Sequence, residues 1–289
     1  MISVAITVRN ARRTLPVQLE SLAAQVFEDP WELVISDGGS DDGTIEFLQE
    51  WIGNCELNTR LVDVGRPGIA AGRNVAVANT TGESIVFCDA DDMVAPGWLR
   101  SMAEGFENSR LVIGQVHLIT GEPDSDAVES AHQAGWGGSI VSPEKPSLGF
   151  FPSGLTANLG FSRSLFDELG GFDETFDTGE DIDFVWRARE LGETPMYCTG
   201  AIVLKRVRST PIERFSQHLR FGRSAPQLYV RHRQYGMPSS GRSSLKAWLW
   251  LLLKTPGALV GKERTEWAAV FGHRIGRLIG SIQHRTPYF

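Results

Sequence analysis

Ile85-Val86-Phe87-Cys88-Asp89-Ala90-Asp91-Asp92 passes from four apolar residues straight into three carboxylates. A short unbroken apolar run reads as a strand buried on both faces. Carboxylates are costly to bury without partners, so the acids mark the point where the strand leaves the sheet. The same pattern repeats upstream. Residues 3–8, 31–36 and 61–64 read as strands, and 14–24, 44–51 and 69–78 between them carry apolar residues at helical spacing. Such alternation predicts an α/β fold with a mostly parallel sheet flanked by helices.

Ligands of open parallel sheets gather beyond the carboxyl ends of the strands. Three stretches end strands: Thr7-Val8-Arg9-Asn10, Asp37-Gly38-Gly39-Ser40-Asp41-Asp42-Gly43 and Asp89-Ala90-Asp91-Asp92. Two acidic clusters on one edge repel unless a cation or a hydrogen-bonding ligand lies between them. Hard carboxylate oxygens suit Mg²⁺ or Mn²⁺. The alternative for Asp89 to Asp92 is an acidic turn capping the next helix. Further on, Gly179-Glu180-Asp181-Ile182-Asp183 opens a helix. Its acids read either as a general base or as caps that suit the helix dipole.

Beyond a helix at 98–106 and a strand at 111–120, residues 121–147 are polar and rich in Gly, Pro and Ser, a loop expected to carry ligand contacts. Residues 161–169 and 182–191 read as helices and 195–204 as a last strand. After that come basic helical stretches at 211–232, 244–253 and 263–282, with Trp267, Phe271, Ile275, Leu278 and Ile282 forming one apolar stripe.

The 289 residues, 42% hydrophobic and 22% charged, exclude a disordered chain. Cys55, Cys88 and Cys198 form neither a disulfide framework nor a C-x-x-C pair, which fits a reducing compartment. Residues 1–7 read as a strand and not as a leader, and no apolar run reaches the ~18 residues of a membrane span. Residues 201–289 hold 16 Lys and Arg against 3 acids, while residues 1–200 hold 12 against 32. That split predicts two parts with different partners, residues 1–209 and residues 210–289. No G-x-G-x-x-G follows the first strand, and H-E-x-x-H and G-x-S-x-G are absent.

Six pieces occur in order: Thr7-Val8-Arg9-Asn10, residues 36–44, Gly72-Arg73-Asn74, Asp89-Ala90-Asp91-Asp92, Gly170-Gly171-Phe172-Asp173 and Gly179-Glu180-Asp181. Together they resemble a family 2 glycosyltransferase of the GT-A fold, an inverting enzyme, over roughly residues 1–210. The resemblance implies that Thr7, Val8 and Arg9 line the base pocket of a nucleotide-sugar, expected to be UDP-linked, and that Asp37 hydrogen-bonds the base. It implies that Arg73 and Ala90 lie beside the nucleotide, Asp89 near ribose and metal, and Asp91 on the metal. Asp181 is implied as the base that deprotonates the acceptor hydroxyl, with Glu180 placing the acceptor. Family members often place a His near the last strand. Here the stretch reads Leu204-Lys205-Arg206-Val207-Arg208, so Lys205 and Arg208 are expected to meet the diphosphate instead.

The implied reaction is sugar transfer with inversion, assisted by Mn²⁺ or Mg²⁺, to a glycan or lipid-linked hydroxyl. Two alternatives stand beside it. A sugar-1-phosphate nucleotidyltransferase would want a Gly-rich loop after the first strand, and Asn10-Ala11-Arg12-Arg13 has no glycine. A non-catalytic nucleotide-binding scaffold at a membrane would neither transfer nor hydrolyse a donor. The expected location is the cytoplasm, and Trp and Leu beside Lys and Arg in the last 80 residues or so suit a peripheral contact with the inner face of the cell membrane. A helical pair packed on the domain or a homodimer contact is the competing use of that stripe. No nucleic-acid module is recognised.

Overall fold

The computed structural model describes residues 1–65, 68–119, 139–141, 144–259, 261 and 263–289, with backbone alone at 139–141, 242, 243 and 259. Most of the 121–147 loop lies outside them. The chain forms two compact units, and the main division falls between Val207 and Arg208. The short segments 146–151 and 175–183 belong with the C-terminal unit.

The first unit begins with β1 (Ile2–Val8), α1 (Leu15–Ala23), β2 (Trp31–Asp37), α2 (Thr44–Asn54), β3 (Thr59–Asp63), α3 (Ile69–Ala78) and β4 (Ser84–Phe87). It continues with β5 (Asp92–Val94), α4 (Trp98–Phe106), β6 (Leu111–Ile119), β7 (Ser139–Val141), β8 (Leu159–Ser162) and α5 (Arg163–Leu169). α6 (Glu180–Glu190), whose first four residues belong to the C-terminal unit, and β9 (Met196–Arg206) follow. One sheet runs β3-β2-β1-β4-β8-β6-β9-β5, and β7 pairs with β6. The β3-β2-β1-β4 half is parallel, β6 and β9 are parallel to each other, and β8 and β5 are antiparallel to their neighbours. The α/β architecture is therefore present, with a mixed sheet whose first half is parallel.

The apolar runs are unbroken because both faces of the sheet are covered. Val4 and Ile6 of β1 pack with Leu15, Leu19 and Leu22 of α1 and Trp98 of α4 on one face. Ala5, between them, points to the other face, where Phe87, Phe161, Phe172 and Phe184 gather. Two elements differ from the sequence reading. Phe161 lies in β8, paired with Ile85 and Leu111, and the helix starts only at Arg163, capped by Ser162 Oγ accepting from Leu165 N. β5 was hidden because its three residues begin inside the acidic motif.

Asn158 holds the sheet where its register breaks. β6 and β9 shift register between Gly114 and Gln115, which leaves carbonyls off the ladder. Asn158 Nδ2 donates to Gln115 O and Ala201 O, each at 2.8 Å, and its Oδ1 accepts from Trp98 Nε1 at 2.8 Å. Gly114 makes room for it: a Cβ there would lie 2.2 Å from Asn158 Nδ2.

The second unit holds α7 (Pro211–His232), α8 (Gly241–Leu259) and α9 (Arg264–Gln283). α7 starts in a capping box, with Thr210 Oγ1 accepting from Glu213 N and Glu213 Oε2 accepting from Thr210 N. α7 and α9 touch backbone to backbone. A Cβ on Gly276 would lie 2.1 Å from Leu219 O, on Gly272 2.5 Å from Phe215 O, and on Gly222 2.1 Å from His273 O. Helix axes approach this closely only where side chains are absent from the contact. The expected stripe is divided by this packing. Trp267 stacks on Phe271, whereas Ile282 is 78% exposed. Arg274 and Arg277, which are not part of the apolar stripe, are buried. On α8, Leu245, Leu249, Leu252 and Leu253 are exposed. Among the described residues no helix is long and apolar enough to cross a membrane.

Replacing Asn158 with Ala removes three hydrogen bonds, two of them buried, and leaves the Trp98 indole N–H without its acceptor. Stability should fall by about 2–4 kcal/mol, read as a lower urea midpoint. A midpoint equal to wild type would show that Asn158 does not carry the register break.

Candidate active site

The site is built at the carboxyl edge of the parallel strands. Val8 and Asp37 are register partners, as are Asp37 and Asp63, and Phe87 is level with Ala5. The chain leaving β4 therefore emerges at the edge where β1 and β2 end. α3 presses against this edge. Gly72 permits the approach, since a Cβ there would lie 3.3 Å from Thr7 Cγ2. The next residue, Arg73, is buried.

Asp37, buried at the end of β2, organises its own loop. Its Oδ2 accepts from Gly39 N at 2.9 Å and Ser40 N at 3.0 Å, and its Oδ1 accepts from Ser40 Oγ. The loops after β1 and β2 are tied together. Asn10 N donates to Ser40 Oγ, Asp41 N to Asn10 Oδ1, and Arg12 N to Asp42 Oδ2. Asn10 adopts φ 54°, a left-handed conformation that Asn tolerates better than most residues. Val8 is buried, Thr7 half-buried and Arg9 exposed.

The acidic motif is met by an internal cation. β5 pairs with β9 so that Asp92 is the register partner of Lys205. Lys205 Nζ donates to Asp92 Oδ2 at 2.8 Å and to Asp89 Oδ2 at 2.9 Å. Arg73 Nη2 lies 3.9 Å from the other Asp89 oxygen, and its guanidinium faces the Phe172 ring. Burial pushes the Asp89 carboxyl up, but Lys205 and Arg73 outweigh it and hold it below the ordinary value. Burial and the neighbouring charges of Asp89 and Asp91 push the Asp92 carboxyl up, and Lys205 opposes them. Burial works against the Lys205 ammonium, yet the three carboxylates raise its pKa above the ordinary lysine value.

One carboxylate oxygen each of Asp89, Asp91 and Asp92 lies within 4.8 Å of the others, a donor set of hard oxygens that fits Mn²⁺ or Mg²⁺. Both Asp92 oxygens are taken by Lys205. Asp91 makes no hydrogen bond or ion pair among the described residues. Asp91 and the Arg73-facing oxygen of Asp89 are thus the atoms suited to a divalent ion. Ala90 between them is buried.

Glu180, Asp181 and Arg208 belong to the second unit. Glu180 is buried in the first turn of α6, and Asp181 Oδ1 accepts from Ile182 N at 2.8 Å. Arg208 is half-buried. Two acids received no role in the sequence reading although both stood in quoted motifs. Asp92 is the fixed partner of Lys205. Asp183 is fully buried and accepts from Arg231 Nε at 2.9 Å, with His232 Nε2 at 3.1 Å, so it anchors the end of α7. Its flanking Ile182 and Phe184 were the available sign, because an acid between apolar residues must find partners inside.

The model of the family described as "Glycosyl transferase family 2" matches residues 3–170. The pre-mycofactocin glycosyltransferase of Mycobacterium tuberculosis is 31% identical over 219 residues, covering 73% of this chain and 45% of that protein. The chain thus spans about half the length of that relative. The putative glycosyltransferase EpsE of Bacillus subtilis is 26% identical over 199 residues, with 66% of this chain and 67% of that protein covered. Among solved structures, the mannosyltransferase PcManGT of Pyrobaculum calidifontis, in complex with GDP-Man and Mn²⁺, superposes with a TM-score of 0.65. It is 17% identical, and 98% of this chain and 86% of that chain are covered. S. aureus TarS 1–349 with UDP-GlcNAc gives 0.55 at 16% identity, covering 100% and 93%. Both share the fold. With the family model spanning more than half of the chain, this protein belongs to glycosyl transferase family 2.

Proposed function

We propose that the chain is an inverting, divalent-metal-assisted glycosyltransferase that moves a sugar from a nucleotide-sugar, UDP-linked in the first instance, to an acceptor hydroxyl. The observation that carries this reading is the group formed by Arg73, Asp89, Asp91 and Lys205 at the carboxyl edge of the sheet. It offers anionic ligands for a metal next to cations for a diphosphate. The solved relatives of the same fold, in complex with GDP-Man and Mn²⁺ or with UDP-GlcNAc, support a donor of this class.

Thr7, Val8, Arg9 and Asp37 would receive the base, with Ala90 and Asp89 beside the ribose. A divalent ion on Asp91 and Asp89 would offset charge on the diphosphate as it leaves. Arg73, Lys205 and Arg208 add fixed positive charge there, worth most where charge develops. The acceptor oxygen forms its bond to the anomeric carbon from the face opposite the diphosphate. The bond from that carbon to the diphosphate breaks, and the electron pair departs with the diphosphate. Asp181 takes the acceptor proton, and Glu180 helps seat the acceptor. No protein nucleophile is needed.

The acceptor is proposed to be a glycan or a lipid-linked precursor approached from a membrane surface. The exposed Leu245, Leu249, Leu252 and Leu253 and the basic excess of the C-terminal helices support that placement. The cytoplasmic face of the cell membrane is the proposed location.

Asp181→Asn should lower transfer by roughly 10²–10⁴-fold while donor binding, read by calorimetry, stays at wild-type affinity. Full transfer by that variant would remove Asp181 from the reaction. Lys205→Met strands Asp92 and Asp89, and stability should drop by about 3 kcal/mol without metal. Mn²⁺ should then raise the melting temperature of the variant more than that of wild type. An equal rise would mean that the ammonium and the ion do not share these oxygens. Replacing Leu249, Leu252 and Leu253 together with Glu should abolish flotation with anionic liposomes. Unchanged flotation would show that this face does not meet the bilayer.

A further inference from the structure

Arg274 and Arg277 stand nearly one turn apart on α9 and are only 8% and 4% exposed. Arg274 Nη1 donates to Ser244 Oγ at 3.0 Å, and its Nη2 lies 3.1 Å from His273 Nδ1. The Arg277 guanidinium lies 4.8 Å from the Tyr288 ring centroid. Nε of Arg274 and both Nε and Nη1 of Arg277 have no hydrogen-bond partner among the described residues.

Among the described residues no carboxylate answers these charges either. The guanidinium groups are destabilised first by burial and, at Arg277, next by Arg274 itself; Tyr288 alone favours the charged forms. The side chains gathered here are basic. His273 is driven down to about 3 by burial, then by Arg277, Arg274 and His218, and is neutral at physiological pH. Buried charges elsewhere are met: Asp92 by Lys205, and Asp183 by Arg231 and His232. Two unpaired buried guanidinium groups are therefore an exception, and a costly one.

We propose that Arg274 and Arg277 form a binding site in the C-terminal helical unit for a phosphate monoester or diphosphate. Three unpaired N–H-bearing nitrogens and two positive charges match a dianion with several acceptor oxygens, and the planar fork of Arg suits phosphate. Entry requires the C-terminal segment to shift, because the Tyr288 ring covers Arg277. That cover is held by Tyr288 N donating to Ser281 Oγ at 3.1 Å and by stacking on Tyr229. The phosphate comes either from a lipid head group or from a soluble ester. α8, which supplies Ser244, also carries the exposed leucines, so an apolar chain attached to the phosphate has a surface to follow.

The test uses the full chain in phosphate-free buffer, with inorganic phosphate, pyrophosphate, or phosphatidylcholine vesicles containing phosphatidic acid. Chloride at equal ionic strength and phosphatidylglycerol vesicles are the controls. Saturating phosphate should raise the melting temperature by roughly 5 °C. Arg277→Met should lose that rise and melt higher than wild type when phosphate is absent, whereas Asp91→Ala should keep it. A rise with soluble phosphate alone identifies a free ester as the ligand. Preferential flotation with phosphatidic acid over phosphatidylglycerol, lost in Arg277→Met, identifies a lipid head group. A flat wild-type response to all three probes overturns the site even if the variant does not fold. So does a phosphate response matched by chloride or retained in Arg277→Met.

Discussion

The Lys205 ammonium fixes the edge of the sheet on which the site depends. Asp92 is buried and could not hold a charge there alone, since removing a carboxylate from water costs far more than a fold can absorb. The antiparallel pairing of β5 with β9 sets Lys205 opposite it and within reach of Asp89 as well. Pairing and charge compensation thus support each other: a one-residue slip of β5 would move Asp92 away from its cation. The bridge also separates roles within a motif of like residues. Asp92 is spent on structure, Asp89 is shared, and Asp91 retains oxygens for a ligand.

A different constraint shapes the C-terminal unit. Glycines at the α7–α9 contact bring the backbones together, so no large side chain can fill that interface. Large apolar residues are displaced to other faces, and those of α8 end on the surface. Arginine occupies interior positions on α9 instead. This polarity is reversed from that of an ordinary amphipathic helix, whose leucines face in and whose cations face water. Such a pattern is costly, and an apolar surface over the leucines or an anion beside the arginines would lower that cost.

The sequence revealed the parallel half of the sheet clearly, because apolar runs covered on both faces have no competing helical period. Residues 2–8, 31–37 and 84–87 are of this kind, and the helices between them carry a full apolar stripe. The antiparallel insertions were harder to read. β8 is a four-residue strand containing Gly160, continuous with a helix that begins at its capping serine. β5 is shorter still and shares Asp92 with the acidic motif. The motif residues were legible as types, but their division of labour was not. Which of three aspartates faces a lysine more than a hundred residues later depends on strand register, and register is a property of the folded sheet. The burial of Arg274 and Arg277 was equally hidden, because charge on a helix ordinarily marks its solvated face.

The overall charge distribution is a poor guide to the site itself. Residues 1–200 are strongly acidic, with 32 acids against 12 Lys and Arg, a net charge that by itself would repel a diphosphate. Exposed charges are screened within about 8 Å at physiological ionic strength, so the average charge of the unit hardly reaches a buried edge. What acts there is the local set: Arg73, buried on α3 with its guanidinium facing the Phe172 ring, and Lys205, held between two carboxylates. Both cations are already positioned by contacts made in folding. On the proposed function they would meet developing negative charge without first being ordered, which is the condition under which fixed charges stabilise a transition state most effectively.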